Sequence, residues 1–282
     1  MKKNVGTKPF VNFILYLILI LFVLFAVFPY LWMVLLSFKT TKDILVNPLQ
    51  LPETLSFSNY ERAFMTVDFG RMYGNTLFVV AVTIVLEITV CFMSSFALSK
   101  MVFKSKKLRD GIHLFVIAGL TISGFILLFP IFKLSSFFGI NGTLFSLVLP
   151  YIATSISFNT LLLTNYLRQL PSEIDEAAVI DGCNLRQLIV YVTLPLSKPV
   201  LATIIVFNVL YIWNEYPIAS VLLNDQNRYT LSLAASFFRG RFSADYGATI
   251  AASLFIIIPQ LFFYGFLQRY IVDGMTAGAV KG

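Results

Sequence analysis

The sequence predicts an all-α polytopic membrane protein with six transmembrane helices. Of its 282 residues, 58% are apolar and only 12% are charged, whereas a soluble domain carries about 25% charged residues. The apolar residues gather in six segments, each close to the roughly 20 residues that a helix needs to cross a bilayer. Each segment is continuously apolar, which is typical of membrane helices and differs from the alternating strands of a barrel, which have about ten residues each.

Charged or turn-forming residues separate the segments. The predicted spans are residues 10–38, 72–99, 111–132, 143–167, 199–223 and 246–268. The first one lies in an uncharged stretch, 9–38, which is longer than the apolar region of a signal peptide, about 7–15 residues. We therefore interpret it as a retained span, which Pro29 bends near its far end.

The other predicted regions follow from these spans. An N-terminal segment covers residues 1–9, a polar loop 39–71, a core of five spans 72–270 and a C-terminal tail 271–282. The loops 39–71 and 224–245 are either docking surfaces for another protein or solvated connectors.

The distribution of cations predicts the orientation. With both termini in the cytoplasm, 13 of the 21 Lys and Arg residues lie inside and 8 outside, as the positive-inside rule requires. The excess comes mainly from the basic loop between the second and third spans, 100–109. The net charge of +7 is a signal that nucleic-acid binders also show, but cations between apolar segments indicate contact with anionic lipid instead.

No motif for catalysis is present. The sequence has no GxxxxGK[ST] motif for cradling phosphates, and its single histidine, His113, has no accompanying set of metal ligands. Cys91 and Cys183 have no partner at metal or disulfide spacing. We expect no catalytic residue, no metal site and no cofactor bound by this chain.

One carboxylate, Glu87, falls in the middle of the second span. A charged group at that depth is expensive and is usually functional or paired. Either it belongs to a cavity or a helix pair, or it lies nearer an interface or is protonated among the helices. Both interpretations stay open.

A platform, defined here as residues 172–199, is the longest stretch between two apolar runs that combines charged residues, glycine, proline and helix-start signals. Ser172 and Asp175 predict a capping box at the start of a first short helix, and Gly182 predicts its end, because glycine adopts a positive φ readily. Asn184 and Gln187 predict the cap of a second helix, 185–194, which stops near Pro195. The platform is either an ordinary interfacial helix pair or a surface that enters a groove on a partner.

The platform also resembles a known motif. Glu176-Ala177-Ala178, then three residues, Gly182, nine residues and Val192-Thr193-Leu194-Pro195 is similar to the EAA loop of ATP-binding-cassette importer permeases, with Val192 in place of isoleucine. Trp213-Asn214-Glu215 and the tail 274–282 resemble the maltose-type carbohydrate permeases. So do Leu31-Trp32-Met33, the run from Ser37 to Lys39, and Asn59-Tyr60. The resemblance covers nearly the whole chain.

This resemblance implies a set of partners and roles. It implies a second permease, often non-identical, two cytoplasmic ATPase subunits that carry ATP and Mg, and an extracytoplasmic solute-binding protein. The implied coupling loop is 168–199, between the fourth and fifth spans, with Glu176 as an ionic contact, Ala177 and Ala178 as a close-packed face, and Gly182 as the turn. The implied ATPase contacts are Glu176, Ala177, Ala178, Asp181, Gly182, Leu194 and Pro195 in the loop, and Gly278, Ala279, Val280, Lys281 and Gly282 in the tail.

Polar and aromatic side chains at membrane depth are candidates for a substrate path, because sugar sites combine hydrogen-bonding groups with apolar platforms. These are Glu87, Asn159, Asn208, Tyr211, Trp213, Asn214 and Glu215. Each of them could instead be a polar contact between packed helices. The second permease of such a pair can also carry most of the substrate contacts.

The predicted function is therefore that of a permease subunit in the plasma membrane of a prokaryote, which imports a sugar or oligosaccharide. One alternative is the same superfamily with a polyol, glycerol phosphate or peptide as substrate. A second is an ion-coupled secondary transporter, recognised by broken helices and buried ion ligands. A third is a membrane-anchored scaffold. The sequence names neither the sugar nor the second permease.

Overall fold

The computed structural model describes residues 9–240 and 243–277, and their regular structure is almost entirely helical. No strand forms in this part of the chain, where one isolated bridge pairs Arg239 with Ala244. In chain order the α-helices are α1 (Pro9–Leu36), α2 (Thr41–Val46), α3 (Ser58–Thr66), α4 (Phe69–Lys100), α5 (Lys106–Ala118), α6 (Gly124–Phe137), α7 (Phe145–Leu167), α8 (Ser172–Ile180), α9 (Leu185–Gln187), α10 (Leu194–Leu196), α11 (Lys198–Asn214), α12 (Pro217–Leu222) and α13 (Tyr246–Ala277). Short 3-10 turns cover Gly119–Thr121, Gln226–Arg228 and Leu231–Phe238, and a π-helix covers Leu188–Thr193.

Four of the described helices are long and apolar enough to cross a membrane. They are Val11–Leu36, Phe69–Lys100, Phe145–Leu167 and Tyr246–Phe266. Two bent pairs pass the same test when each pair is taken together, which brings the number to as many as six: Lys106–Thr121 with Gly124–Phe137, bent by 103°, and Leu185–Leu196 with Lys198–Asn214, bent by 72°. The chain is therefore a multi-pass helical membrane protein.

The third predicted span, 111–132, is divided in the structure. Helix α5 ends at Ala118, and α6 begins only at Gly124 after the 103° bend. Gly119 lies so close to α7 that an added Cβ would collide with Ser157 Oγ. Glycine has the lowest helix propensity after proline. The close approach of Gly119 to α7 is a tertiary contact that accompanies the break, and local sequence patterns do not reveal it.

The described residues form two compact units. The first consists of residues 9–67 with 235–255, and the second of residues 68–234 with 256–277. In the first unit the polar loop is held by buried hydrogen bonds. Asn59 Nδ2 donates to the carbonyls of Ser37 and Lys39 at 2.6 and 2.8 Å, and Lys39 Nζ donates to the carbonyls of Asn47 and Gln50.

Asp245 joins that loop to the start of α13 within the first unit. Arg62 Nε lies 2.9 Å from Asp245 Oδ2, and Thr41 Oγ1 donates to Oδ1 at 3.0 Å. Partial burial alone would raise the pKa of Asp245. The hydrogen bonds from Ala248 N–H, Arg62 and Thr41, together with the charge on Arg62, outweigh burial and lower that pKa overall.

The second unit is built around α4, α7 and α11. One buried cluster joins Val79, Leu147, Tyr151, Ile212 and Leu222 with their neighbours. A second cluster, near the other end of the same helices, contains Phe92, Phe96, Leu163, Leu167 and Ile204 with three platform residues packed on it, Leu188, Ile189 and Leu194. These two clusters fix the helices that line the cavity described next.

Candidate functional site

The break between α5 and α6 opens a cavity of about 540 Å³ against α7 and α11 in the second unit. Its lining residues are Gly119, Ile122, Gly124, Leu127, Ala153, Thr154, Ser155, Phe158, Phe207, Asn208 and Tyr211. No charged side chain is among these described residues. Three aromatic rings and four hydrogen-bonding side chains face one volume, which is the composition of a pocket for a neutral polar ligand.

Two of the predicted substrate residues, Asn208 and Tyr211, lie on this cavity. Asn208 is buried, and its Nδ2 has no hydrogen-bond acceptor among the described residues. The Tyr211 hydroxyl is 3.2 Å from Thr154 Oγ1. Buried polar groups are nearly always hydrogen-bonded, so the free amide nitrogen of Asn208 is a group that a ligand hydroxyl can satisfy.

A second cavity of about 410 Å³ is also lined by Tyr211. It is lined mainly by apolar residues of α6 and by the break between α11 and α12, where Asn214 and Glu215 lie. The predicted fifth span, 199–223, consists of two helices that are interrupted at Glu215 and Tyr216. Tyr211 and Gly124 line both cavities.

Glu215 lies at this interruption between α11 and α12, and hydrogen bonds within the chain fix its side chain. Its carboxylate accepts hydrogen bonds from the backbone N–H groups of Ile218 and Ala219 at 2.7 and 3.0 Å and from the Tyr151 hydroxyl at 2.8 Å. These contacts tie the start of α12 to α7, so Glu215 shapes the wall of the cavity. Trp213 lines neither cavity, and its Nε1 donates to the Ile256 carbonyl at 3.1 Å.

Glu87 is fully buried behind the larger cavity. Its Oε1 accepts hydrogen bonds from Ser155 Oγ and Asn159 Nδ2, both on α7. Ser155 also lines the cavity. These two hydrogen bonds support the interpretation of Glu87 as a residue that pairs α4 with α7. The Ser155 hydroxyl connects Glu87 to the cavity wall.

Replacement of Glu87 by leucine is expected to destabilise the protein. It would leave the buried Asn159 Nδ2 without its acceptor, and a buried unsatisfied donor costs about 1–3 kcal/mol. Glu87→Gln keeps an oxygen acceptor at the same place and is the matched control. Thermal denaturation of the purified protein in detergent should show a lower midpoint for Glu87→Leu than for Glu87→Gln, and equal midpoints would contradict the pairing role.

In the platform, α8 runs from Ser172 to Ile180, and Gly182 follows in the left-handed region with φ 84°. Cys183 N–H bonds to the Ala178 carbonyl and Gly182 N–H to that of Val179, each at 3.0 Å. This is the Schellman arrangement that ends many helices at glycine. The predicted turn at Gly182 is confirmed.

The start of α8 differs from the prediction. Ser172 is the first helical residue, and the N-cap position belongs to Pro171, without a side-chain cap bond. The predicted Ser172–Asp175 capping box is therefore wrong. Asp175 instead forms an ion pair with Lys100 at 2.7 Å, a contact across 75 positions that a local capping rule does not consider.

The second platform helix has the predicted capping box. Asn184 Oδ1 accepts from Gln187 N–H at 3.0 Å, and Gln187 Oε1 accepts from Asn184 N–H at 2.9 Å. The helix ends near Pro195, as predicted. It continues from α9 as the π-helix to Thr193 and as α10 to Leu196, one residue beyond Pro195.

The predicted coupling residues of the platform differ in their exposure. Ala178 is buried within the chain, and Leu194 is half-buried on the neighbouring cluster. Glu176, Ala177, Asp181, Gly182 and Pro195 are exposed. Ile180 and Tyr191 expose 85% and 74% of their surfaces. The exposed surface of the platform thus combines acids with apolar side chains, and an uncovered surface of this kind indicates contact with a protein or a membrane.

Some predicted residues lie outside the described part, and some site residues escaped prediction. The tail contacts Gly278, Ala279, Val280, Lys281 and Gly282 are outside the described residues. Sequence reasoning missed Thr154 and Ser155, although their positions one turn before Asn159 on the same helix were a usable signal. It also missed the pairing of Lys100, for which the sequence carries no local signal.

Bent membrane helices beside a cavity that holds hydrogen-bonding side chains are typical of the class of membrane transporters. Residues 92–277 match the family described as binding-protein-dependent transport system inner membrane component. The chain belongs to this family and is an ABC importer permease of the carbohydrate type.

Two relatives carry sugar names. A diacetylchitobiose uptake system permease of Streptomyces coelicolor is 31% identical over 255 residues, which cover 90% of this chain and 83% of the relative. A trehalose transport system permease of Mycobacterium tuberculosis is 30% identical over 259 residues, covering 91% and 93%. A chain in the crystal structure of a bacterial ABC transporter involved in the import of the acidic polysaccharide alginate has a similar fold. Its TM-score is 0.77 at 23% identity, over 93% of this chain and 97% of that one.

Proposed function

We propose that the chain is one of two permease subunits of an ATP-driven importer and that its platform is the coupling loop. The observation that carries this proposal is the EAA pattern placed on an exposed helix that ends at Gly182 with a positive φ. ATP and Mg would bind to two partner ATPases that dock on this helix. A solute-binding protein would deliver the substrate from the other side of the membrane.

The proposed topology has six spans, two of them bent, in a prokaryotic plasma membrane. Both termini and the loop 168–199 would lie in the cytoplasm, because this orientation places most cations inside. None of the residues in the most apolar stretch of helix α1 is buried within the chain. This exposure supports the proposal that α1 contacts a second permease or lipid.

We further propose that the substrate is a neutral sugar or oligosaccharide, which passes along the cavity at Asn208 and Tyr211. The lining supplies aromatic faces and uncharged hydrogen-bonding groups. A glycerol phosphate would need a cation to compensate its charge, and no lining residue of the larger cavity provides one. The cavity composition therefore favours a neutral carbohydrate over an anionic substrate.

Filling the larger cavity is expected to block uptake. Ala153 lines it and has an exposed side chain, so Ala153→Trp would occupy space that the substrate needs, while Ala153→Ser changes the volume little. In proteoliposomes that contain the complete transporter, uptake of the labelled sugar should fall at least tenfold for the tryptophan variant alone. Equal uptake by both variants would exclude this cavity from the path.

Reconstitution tests the function as a whole. The complete complex, in proteoliposomes with the binding protein supplied on one side, should accumulate sugar only when ATP is supplied on the other. Bent helices are also a feature of ion-coupled transporters. Uptake that is driven by an ion gradient without the ATPases would therefore favour that alternative and contradict this proposal.

A further inference from the structure

Lys100 is the last residue of α4, and it contacts both the platform and the connection that precedes it. Its Nζ lies 2.7 Å from Asp175 Oδ2 on α8 and 3.3 Å from the carbonyl of Leu170, in the connection that leads into α8. The two charged side chains are only 10% and 24% exposed. Exposed ion pairs contribute little because water screens them, so the low exposure makes this pair a stronger constraint than a surface contact.

The two faces of α8 have different neighbours. Asp175 and Ala178 face the body of the chain, whereas Glu176 and Ala177 are exposed. A partner that docks on the exposed face therefore acts on a helix whose opposite face is bonded to the end of α4. A displacement of α8 would pull on Lys100 directly.

Helix α4 is suited to carry such a displacement. It continues for 32 residues without a proline, whereas α1, α6, α7 and α13 each contain one. Proline is the commonest cause of a sharp helix kink. Lys100 follows Glu87 by 13 positions, which is about 20 Å along the helix at 1.5 Å per residue. Glu87 bonds to Ser155 in the wall of the larger cavity.

We propose that the Lys100–Asp175 ion pair fixes α8 to α4, so that movement of the platform shifts Glu87 and, through Ser155, the cavity wall. Lys100 and Asp175 are positioning residues in this assignment and do not touch the substrate. The proposal rests on the proposed function, because it requires that ATPases move the platform.

The test uses the complete complex with three changes at the pair. Lys100→Met and Asp175→Asn each remove one charge, and the exchange Lys100→Asp with Asp175→Lys restores a pair of opposite polarity. Lys104→Met is the matched control, since Lys104 is exposed on the same basic loop and no ion pair of it occurs among the described residues. Uptake, ATP hydrolysis with and without the binding protein, and recruitment of the ATPases are measured for each.

Both single variants should recruit ATPases and hydrolyse ATP at the basal rate, but lose uptake and stimulation by the binding protein at least roughly fivefold, the lower end of typical coupling between sites. The exchange should recover part of both activities, and Lys104→Met should behave as the unchanged protein. Uptake by the single variants equal to that of Lys104→Met, failure of the exchange to recover any activity, or loss of ATPase recruitment would each overturn the proposal.

A measurement on the permeases alone separates this inference from the proposed function. Hydrogen exchange of the backbone amides of α8 should be faster in Lys100→Met than in Lys104→Met, because the helix has lost its attachment. Unchanged exchange would overturn the inference even if ATP drives uptake. If the unchanged complex shows no ATP-dependent uptake while α8 exchanges faster, the attachment stands and the proposed function fails.

Discussion

Substitution of Gly182 by valine is expected to reduce ATP-driven uptake to background while the protein still inserts into the membrane. Gly182 has φ 84°, a region that costs an ordinary L-residue about 1–2 kcal/mol and that β-branched residues almost never adopt. Nothing lies within 4 Å of the position of an added Cβ. The effect would therefore come from the backbone of the turn, which would reorient α8 against α9.

Two controls isolate the backbone effect. Asparagine tolerates the left-handed region, so Gly182→Asn should retain most of the uptake. Gly111 lies in helix α5 with equally open space around it, so Gly111→Val adds the same side chain without the positive φ. Proteoliposome uptake and an immunoblot of the membrane fraction measure the outcome, and normal transport by Gly182→Val would show that the turn is not needed for coupling.

Substitution of Glu176 by lysine is expected to abolish recruitment of the ATPases and, with it, uptake. Glu176 is exposed on the same face of α8 as Ala177, and in the proposed complex it meets a cation of the ATPase. Loss of one partner from a buried charge pair at an interface costs about 2–5 kcal/mol, which corresponds to roughly 30-fold weaker binding or more. Reversal of the charge adds repulsion to that loss.

Graded replacements make this test specific. Glu176→Asp keeps the charge and should retain part of the ATPase recruitment. Glu176→Gln removes the attraction without adding repulsion, so its recruitment should lie between those of the aspartate and lysine variants. Co-purification of the ATPases with the permease pair reports recruitment. Normal recruitment and transport by Glu176→Lys would remove Glu176 from the interface, whereas rescue by a cation-to-acid change on the ATPase would identify its partner.

Features set by neighbouring residues were predictable from the sequence. The apolar stretches of α1, α4, α7 and α13, the turn at Gly182 and the Asn184–Gln187 capping box each depend on residues within one helix or one turn. The family resemblance was visible because the EAA pattern is also local. These features required no knowledge of tertiary contacts.

Features that depend on distant contacts were not predictable. The break after α5 reflects the approach of Gly119 to Ser157, 38 positions away, and the structure of the α8 start reflects Lys100, 75 positions before Asp175. Glu215 was a substrate candidate because it is a hydrogen-bonding side chain at membrane depth, but its carboxylate accepts hydrogen bonds from Ile218, Ala219 and Tyr151. The presence of a carboxylate in an apolar segment indicated that it has polar partners, and only the fold identified them.

The exposure of helix α1 affects how the stability of this chain is defined. The most apolar stretch of Val11–Leu36 has no buried residue, so the described part of the chain does not enclose this stretch. Its packing free energy must then come from surrounding molecules, and stability that depends on a bound partner varies with the concentration of that partner. Truncations of α1 should therefore weaken assembly with neighbours in the membrane before they disturb the helices that enclose the cavity.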